Sequence, residues 1–390
     1  MNKIQKMVQD LCPNGVEWKT LGEMGTFYGG LTGKSKKDFE NGNAKFITYK
    51  NVYSNPSLQI DVTDTVNISP DEKQNTVLYG DILFTGSSET PDECAMSSVL
   101  TIHTDENLYL NSFCFGFRFN SLENINLNFY KHYFRCENVR KQLNKTAHGT
   151  TRYNVSKKEF AQISIPIPPL AVQAEIVNLL DKFTQLSAEL KAELKLRRKQ
   201  YDYYRNHLLS FDSNSTTVQW MPLGEVAEIS RGVRVVRNDL QQEGFPVFQN
   251  SLTPLGNYHS YNTPANTTFV ISAGAAGKIG YSKVDFWAAD DCLRIICPKE
   301  LNSKYLYYCL TNNETYFSRQ VRKASVPRLS REVVENFLIP IPPIEEQERI
   351  VGILDKFETL VNDLSKGLPA EIALVQKQYE YYRNLLLTFE

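Results

Sequence analysis

The chain has 390 residues, of which 42% are hydrophobic and 22% are charged. This length exceeds what one ordinary hydrophobic core absorbs, and the composition is that of a folded protein, so we expect two domains or more and exclude a mostly disordered or collagen-like chain. The formal net charge of −1 means that any surface for nucleic acid must be a local patch.

The beginning of the chain carries charged and amide side chains where a signal peptide needs an apolar core, and no run of about 18 apolar residues follows. We therefore expect a cytoplasmic protein that makes no membrane contact. The seven cysteines form no C-x-x-C pair and the five histidines are scattered. This pattern predicts reduced, mostly buried thiols and no metal site.

The first globular segment, residues 16–164, opens with the marker V-x-W-x-x-L-G-E at Val16. Short alternating runs such as residues 81–86 predict strands separated by turns, and residues 127–143 predict helix. We expect a mixed α/β or α+β fold here and in the second globular segment. The predicted first domain covers residues 1–164.

The first spacer, residues 165–211, begins with I-P-I-P-P, which favours extended backbone and stops a helix from running through it. Apolar residues then recur at steps of four and three, as in a coiled-coil seam, with breaks at Ser187 and Arg197. The pattern predicts one helix over residues 171–211, about 60 Å long. The seam residues are Ile176, Leu180, Phe183, Leu190, Leu194, Tyr201 and Tyr204.

The second globular segment, residues 218–338, opens with the same marker at Val218, and its alternating runs include residues 266–272. With the residues before it, it forms the predicted second domain, residues 212–338. The two spacers match each other far better than the two globular segments do, which suggests one shared mechanical role for the spacers and two different readouts for the globular segments.

The second spacer, residues 339–390, repeats I-P-I-P-P at an offset of 174 from the first copy and gains four residues further on. The gain is a stutter that keeps the seam on one face. Gly367 and Pro369 lie there and predict a kink or a short break. The seam residues are Ile350, Leu354, Phe357, Val361, Leu364, Tyr379 and Tyr382.

The chain is therefore an internal repeat of a globular segment followed by a spacer. A single spacer helix cannot bury its own apolar seam, and the simplest partner is the other copy. A two-fold relation between the repeats would make the two helices antiparallel. The alternative, that each helix packs on its own globular segment or on another subunit, stays open at this level.

Basic residues cluster in acid-free stretches just before each I-P-I-P-P turn, and again after each L-G-E marker. A single charged run is more often only a solvated surface, but recurrence at matching places favours duplex DNA, which rewards such patches through counterion release. Arginine side chains can also read base edges. The predicted DNA contacts are Lys34, Lys36, Lys37, Lys145, Thr151, Arg152, Lys157, Arg231, Arg234, Arg237, Lys278, Arg322, Lys323 and Arg328.

No catalytic constellation is complete. Residues 273–280 resemble a phosphate loop but lack its first glycine and the Ser or Thr after Lys278, so we interpret them as a glycine-rich loop that a DNA backbone could approach. Acidic turns at residues 70–73 and 91–93 lack a second nuclease element, and the histidines have no triad spacing. We expect no catalytic residue and no bound cofactor or metal. The alternatives are a self-contained DNA-modifying enzyme and a coiled-coil scaffold that binds only proteins.

A long motif occurs twice: I-P-I-P-P-[LI]-x-x-Q-x-x-I-V-x-[LI]-L-D-K-F at residues 165–183 and 339–357. K-Q-Y-[DE]-Y-Y-R-N occurs at residues 199–206 and 377–384, and the opening L-C-P-N-G-V-E-W at residues 11–18. In these motifs, which span essentially the whole chain, the sequence resembles the DNA specificity subunit of type I restriction-modification systems.

The resemblance implies two target-recognition domains, each reading one half of an asymmetric bipartite DNA site, and spacers that form an antiparallel coiled coil and set the gap. It implies a subunit that is not itself catalytic. The implied partners are double-stranded DNA, two modification subunits that methylate adenine with S-adenosylmethionine, and restriction subunits that use ATP and Mg²⁺.

Overall fold

The computed structural model describes residues 3–212 and 218–389. The described residues do not include 1–2, 213–217 and 390. These positions belong to the predicted first domain, second domain and second spacer. The chain divides into two compact units. Unit 1 comprises Met1–Glu189 and Ile372–Glu390, and unit 2 comprises Leu190–Glu371. Each unit therefore contains one globular segment, part of the first spacer and part of the second.

Unit 1 is built around a four-stranded antiparallel sheet with the strand order Gly25–Gly29, Cys114–Phe119, Ile82–Thr85 and Ser97–Val99. A second sheet has the order Thr65–Val66, Ala44–Ile47, Leu108–Leu110 and Thr76–Val77. A small third sheet joins Ala147–His148, Tyr153–Val155 and Ser87–Ser88. The α-helices of the globular segment are Lys3–Leu11, Leu21–Met24, Tyr49–Ser54, Leu127–Tyr133, Glu137–Asn144 and Lys157–Phe160, with 3₁₀ turns at Lys36–Phe39 and Pro91–Glu93.

Unit 2 repeats this plan in shorter form. Its four-stranded antiparallel sheet has the order Glu228–Arg231, Cys292–Ile296, Thr267–Ile271 and Ile279–Ser282. Its second sheet has the order Asn257–Tyr258, Phe245–Phe248 and Trp287–Ala288. The α-helices of the globular segment are Leu223–Val226, Ser303–Asn312, Glu314–Gln320 and Arg331–Glu335, with a 3₁₀ turn at Arg237–Asp239.

The predicted mixed fold is confirmed, and both predicted strands lie inside four-stranded sheets. Ile82–Thr85 and Thr267–Ile271 are buried at every residue, because the residues on the two faces of each strand pack into different hydrophobic clusters. The predicted helix over residues 127–143 is two helices, the second starting after Cys136. Five of the seven cysteines are buried. Within residues 3–212 and 218–389, no helix is both long enough and apolar enough to cross a membrane.

The two sequence markers of each repeat meet as a two-stranded antiparallel ladder. In unit 1, Glu17–Thr20 pairs with Ser164–Ile167, and in unit 2, Gln219–Pro222 pairs with Leu338–Ile341. Each tryptophan of the marker lies opposite the first proline of an I-P-I-P-P turn. The markers recur because they close the two ends of each globular segment before the spacer begins.

The first spacer is one continuous helix, Leu170–Leu208, of 39 residues, which we call spacer helix 1. The second spacer is interrupted, as Gly367 and Pro369 predict. It consists of spacer helix 2, Ile344–Asn362, and spacer helix 3, Leu368–Leu386. A Cβ at Gly367 would lie 2.4 Å from the carbonyl oxygen of Thr359, so no larger residue fits this turn without a shift of the backbone.

In each unit the spacers pair beginning against end, which is the antiparallel order. In unit 1 the ring of Phe183 stacks on that of Tyr382 with centroids 5.4 Å apart, and in unit 2 the ring of Phe357 stacks on that of Tyr204, also at 5.4 Å. The spacers also pack on the globular segments, which was the alternative to packing on each other. Ile176 and Leu180 belong to the buried core of the globular segment of unit 1, as do Ile350 and Leu354 in unit 2.

Most predicted seam residues are buried or half-buried, and three are exposed. Tyr204 and Tyr382 are 36% and 37% exposed, although each ring stacks on a phenylalanine of the other spacer. Leu364 is 83% exposed because it lies in the interruption between spacer helices 2 and 3, where the helical period no longer holds it against a partner. Leu190 and Leu194 are half-buried. Ser187, a break in the apolar pattern, is nevertheless buried and so continues the seam with a small polar side chain.

A glutamine of the repeated motif fastens each spacer to its own unit. The Nε2 of the fully buried Gln173 donates to the carbonyls of Asn124 and Pro168 at 2.8 and 2.7 Å, and its Oε1 accepts from the N–H of Asn126 at 2.8 Å. Gln347 makes the same three bonds in unit 2, to Glu300, Pro342 and Asn302. Because a buried amide needs partners for both its ends, this position accepts glutamine almost uniquely.

Candidate nucleic-acid interface

A tight turn at residues 111–114 joins several surface segments of unit 1, and we call it hub turn 1. It is closed by a hydrogen bond from the N–H of Cys114 to the carbonyl of Asn111 at 2.9 Å. Its carbonyls accept from Gly30 at 3.2 Å and from Gly86 at 2.7 Å, and its own Asn111 N–H donates to Ile47 at 2.9 Å. The turn is therefore the common neighbour of three loops.

Residues 289–292 form hub turn 2 in unit 2, with the same network of backbone hydrogen bonds. The N–H of Cys292 closes the turn on Ala289 at 3.0 Å. Its carbonyls accept from Gly232 at 3.0 Å and from Ser272 at 2.8 Å, and the Ala289 N–H donates to Phe248 at 2.9 Å. The two hub turns are thus equivalent positions of the repeat, although their sequences differ.

The basic stretch before each I-P-I-P-P turn folds as a hairpin attached to these loops. In unit 1, Ala147–His148 pairs with Tyr153–Val155, which continues onto Ser87–Ser88. In unit 2, Arg322 and Arg328 exchange backbone hydrogen bonds of 2.8 and 3.2 Å. Gly274 also donates to the carbonyl of Pro327 at 3.2 Å, so the hairpin lies beside the glycine-rich loop.

The predicted contacts of unit 1 lie on these segments and are mostly exposed. Lys36, Lys37, Lys145, Thr151, Arg152 and Lys157 are exposed. The guanidinium of Arg152 lies over the ring of Phe113 at 4.6 Å, and this contact connects the hairpin to hub turn 1. Phe113 itself is 49% exposed, which is unusual for so large an apolar side chain at the centre of a polar surface.

Lys34 and Arg140 have structural roles that the charge pattern does not reveal. The side chain of Lys34 is only 9% exposed, and its ammonium forms an ion pair with Glu72 at 2.5 Å. A hydrogen bond from this ammonium lowers the pKa of Glu72. Arg140, part of the basic stretch, donates to the backbone carbonyls of Asp92, Cys94 and Ala95, and burial lowers its pKa to about 10. Lys34 is therefore the least accessible of the predicted contacts, and Arg140 holds the fold.

The predicted contacts of unit 2 lie in the corresponding places. Arg231, Arg234 and Arg237 are exposed. Arg231 ends the strand Glu228–Arg231, and the other two follow Gly232, whose N–H donates to hub turn 2. Lys278 is half-exposed and forms an ion pair with Glu314 at 2.7 Å. The three exposed cations of the hairpin have no acidic partner in the parts of the chain that the structure describes. We call them the hairpin cations, and they are Arg322, Lys323 and Arg328.

Sequence reasoning found the charged segments of this surface but not the hub turns that join them. A sequence signal that could have found them is the cysteine that ends each turn, Cys114 and Cys292. Among the described residues, no group of three or more His, Cys, Asp or Glu side chains is placed to hold a metal ion. The surface offers cations, polar loops and exposed apolar tips, which are means of binding.

The sequence matches the family model described as type I restriction modification DNA specificity domain over residues 13–196 and 216–374. It is 38% identical over 261 residues to a type I restriction enzyme specificity subunit of Escherichia coli, a match that covers 59% of this chain and just under two thirds, 64%, of that protein. It is 34% identical over 302 residues to a Haemophilus influenzae protein assigned to the same subunit class, covering 69% of this chain and 74% of that one.

Solved structures show the same fold at low sequence identity. The S subunit of a type I restriction-modification system from M. genitalium has a TM-score of 0.59 and 17% identity, covering 96% of this chain and 97% of that one. A chain from a study of the assembly and conformational transition of the type I system has a TM-score of 0.62 and 18% identity, covering 96% and 98%.

Proposed function

The chain belongs to the type I restriction-modification DNA specificity family, and we propose on that basis that it is the DNA-recognition subunit of such a complex and is not itself catalytic. The observation that supports this function best is the repeated hub-turn framework. Each unit uses the same backbone hydrogen bonds to bring basic loops and a basic hairpin together. Cations gathered in this way release counterions from a duplex when they neutralise its phosphates.

Each unit reads one half of a bipartite DNA site, and the two halves differ. The backbone framework is shared, but the side chains on the loops and hub turns are not. Phosphate contacts position a protein on DNA, whereas the side chains that meet base edges select the sequence. The shared backbone framework therefore gives the two units a similar way of docking on DNA, and the different side chains give them different half-sites.

The spacers set the gap between the half-sites. Spacer helix 1 is continuous over 39 residues, which corresponds to about 58 Å or about 17 base pairs of duplex. Because the pairing of each unit uses the beginning of one spacer and the end of the other, the length of the helices fixes where each unit lies along the DNA.

The same helices offer a repeated surface for two modification subunits. Leu196 and Tyr203 on spacer helix 1 are 66% and 64% exposed, and Leu374 and Tyr381 on spacer helix 3 are 57% and 63% exposed. Within each pair the residues are seven apart, so they share a helix face. Large exposed apolar side chains at matching positions are typical of a protein interface. The modification subunits would supply S-adenosylmethionine chemistry, and restriction subunits would supply ATP- and Mg²⁺-dependent cleavage.

The test is to express the chain with a modification subunit of its system and to map methylated bases by single-molecule sequencing. We expect one asymmetric bipartite motif with a fixed gap. Methyl transfer by the purified chain alone would instead favour a self-contained enzyme. Absence of sequence-specific DNA binding even in the presence of the modification subunit would favour a scaffold that binds only proteins.

A further inference from the structure

The hub turns join the loops of each basic surface, and in each turn the side chains of the two middle residues take no part in the shared backbone network. These are Ser112 and Phe113 in hub turn 1, and Asp290 and Asp291 in hub turn 2. The closing and bridging hydrogen bonds of both turns use main-chain atoms. The side chains at these positions are therefore not needed to build the turn.

We propose that these two positions of each hub turn are specificity-determining, and that Asp290 and Asp291 select cytosine or adenine over guanine or thymine on the DNA strand that they contact in the half-site read by unit 2. This inference rests on the proposed function and adds the residues that make the two half-sites different. It follows from the chemistry of carboxylates, which repel phosphate and accept hydrogen bonds from base amino groups.

Two carboxylates at the centre of this surface oppose phosphate binding. The surrounding loops and hairpin carry exposed arginines and the hairpin cations, yet neither aspartate forms an ion pair with them in the described chain. Asp290 accepts only a long hydrogen bond of 3.5 Å from the Nε2 of Gln249. Asp291 has no side-chain hydrogen bond within residues 3–212 and 218–389. Both are half-buried, so they retain unused acceptor capacity beside the DNA-facing loops.

An ionised carboxylate accepts hydrogen bonds and donates none. In the major groove the amino groups of cytosine N4 and adenine N6 donate, whereas guanine O6 and thymine O4 accept and would be repelled. Aspartate at a base edge therefore selects cytosine or adenine. The side chain of Gln249, which donates to Asp290, adds an amide. Its remaining N–H and its oxygen can also bond to the major-groove edge of adenine.

Hub turn 1 carries different chemistry at the equivalent positions. Phe113 is 49% exposed and has the guanidinium of Arg152 over its ring. An apolar ring suits the methyl group of thymine, and the arginine beside it suits the adjacent phosphate or a guanine. The difference between the hub turns thus predicts different bases at equivalent positions of the two half-sites.

The experiment compares three variants of the full chain, each expressed with a modification subunit, by sequencing methylated DNA. Asp290→Asn with Asp291→Asn keeps the shape of hub turn 2 and adds donors. We expect the half-site of unit 2 to lose its preference for cytosine or adenine at one or two positions, from roughly tenfold or more to near none. The other half-site and the gap should not change. Glu243→Gln, an exposed acid of unit 2, is the matched control and should leave the motif intact.

The converse variant, Ser112→Asp with Phe113→Asp, should alter only the half-site of unit 1. It keeps the proposal testable if the variant of hub turn 2 folds poorly. Unchanged half-sites in both variants would overturn the inference, as would a uniform loss of methylation at all sites with normal thermal unfolding. A wild-type chain that directs no bipartite methylation would instead refute the proposed function itself.

Discussion

Replacing Gln173 by leucine should destabilise unit 1 strongly, although the change keeps the side-chain volume. The side chain is fully buried and makes three hydrogen bonds to main-chain atoms. Leucine would leave two carbonyls and one N–H without this partner, and each buried, unsatisfied group costs about 1–3 kcal/mol. The exposed residue Asn124 can turn to water, which leaves two unsatisfied groups and a cost of about 2–6 kcal/mol.

The effect can be measured as the midpoint of thermal unfolding followed by circular dichroism. A loss of about 2–6 kcal/mol in a unit of this size corresponds to a fall of about 4–24 °C. Gln347→Leu should show the same loss in unit 2, since it has the same three bonds.

The matched control is Gln185→Leu on the same helix. Gln185 is exposed and bonds only to Glu189 one turn away, at 2.9 Å, so its replacement should cost about 0.5 kcal/mol or less. If Gln173→Leu were no more destabilising than Gln185→Leu, the glutamine would not be the fastening that the structure indicates, and the repeat of the motif would need another explanation.

Three further outcomes are expected. Replacing the hairpin cations with alanine should weaken DNA binding and reduce the slope of log K against log salt by about 0.9 for each lost phosphate contact. The control Arg349→Ala on spacer helix 2 should change neither the affinity nor the slope. An unchanged slope in the hairpin variant would show that the hairpin is not part of the DNA surface. Burial lowers the pKa of His132, so the folded chain binds this proton less readily than the unfolded chain, and the free energy of unfolding should fall as the pH drops below about 6.5. Between pH 7.5 and pH 5.5 the urea midpoint should fall less in His132→Gln than in the wild type; an equal fall in both proteins would contradict this role of His132. Inserting four residues near Leu190 should lengthen spacer helix 1 by about 6 Å and widen the preferred gap by about two base pairs, with both half-sites unchanged. Methylome sequencing measures both quantities. Altered half-sites with an unchanged gap would refute the spacer model.

Much of the architecture was predictable because it depends on short-range signals. The I-P-I-P-P turns, the steps of four and three, and Gly367 with Pro369 act on the residues beside them, so they locate the spacers and the interruption without knowledge of the fold. Local period cannot show where a seam loses its partner. Leu364 fits the apolar repeat, yet it is 83% exposed, because the helix has already ended at Asn362.

The candidate site was predictable in its charges and not in its organisation. The sequence places basic residues near both ends of each globular segment, and the structure shows that the stretch before each spacer folds as a hairpin. The sequence cannot distinguish a free cation from a paired one, because the partners lie far away in the chain. Lys34 pairs with Glu72, and Arg140 donates to carbonyls more than forty residues away.

The sequence by itself determined that the protein is a doubled chain of globular segments and helices, since repetition and period are properties of the linear order. Only the tertiary structure decided that each unit combines the beginning of one spacer with the end of the other, and that two unlike turns occupy one equivalent position. Both facts depend on hydrogen bonds and ring contacts between residues far apart in the chain, and a pattern along the sequence does not contain those distances.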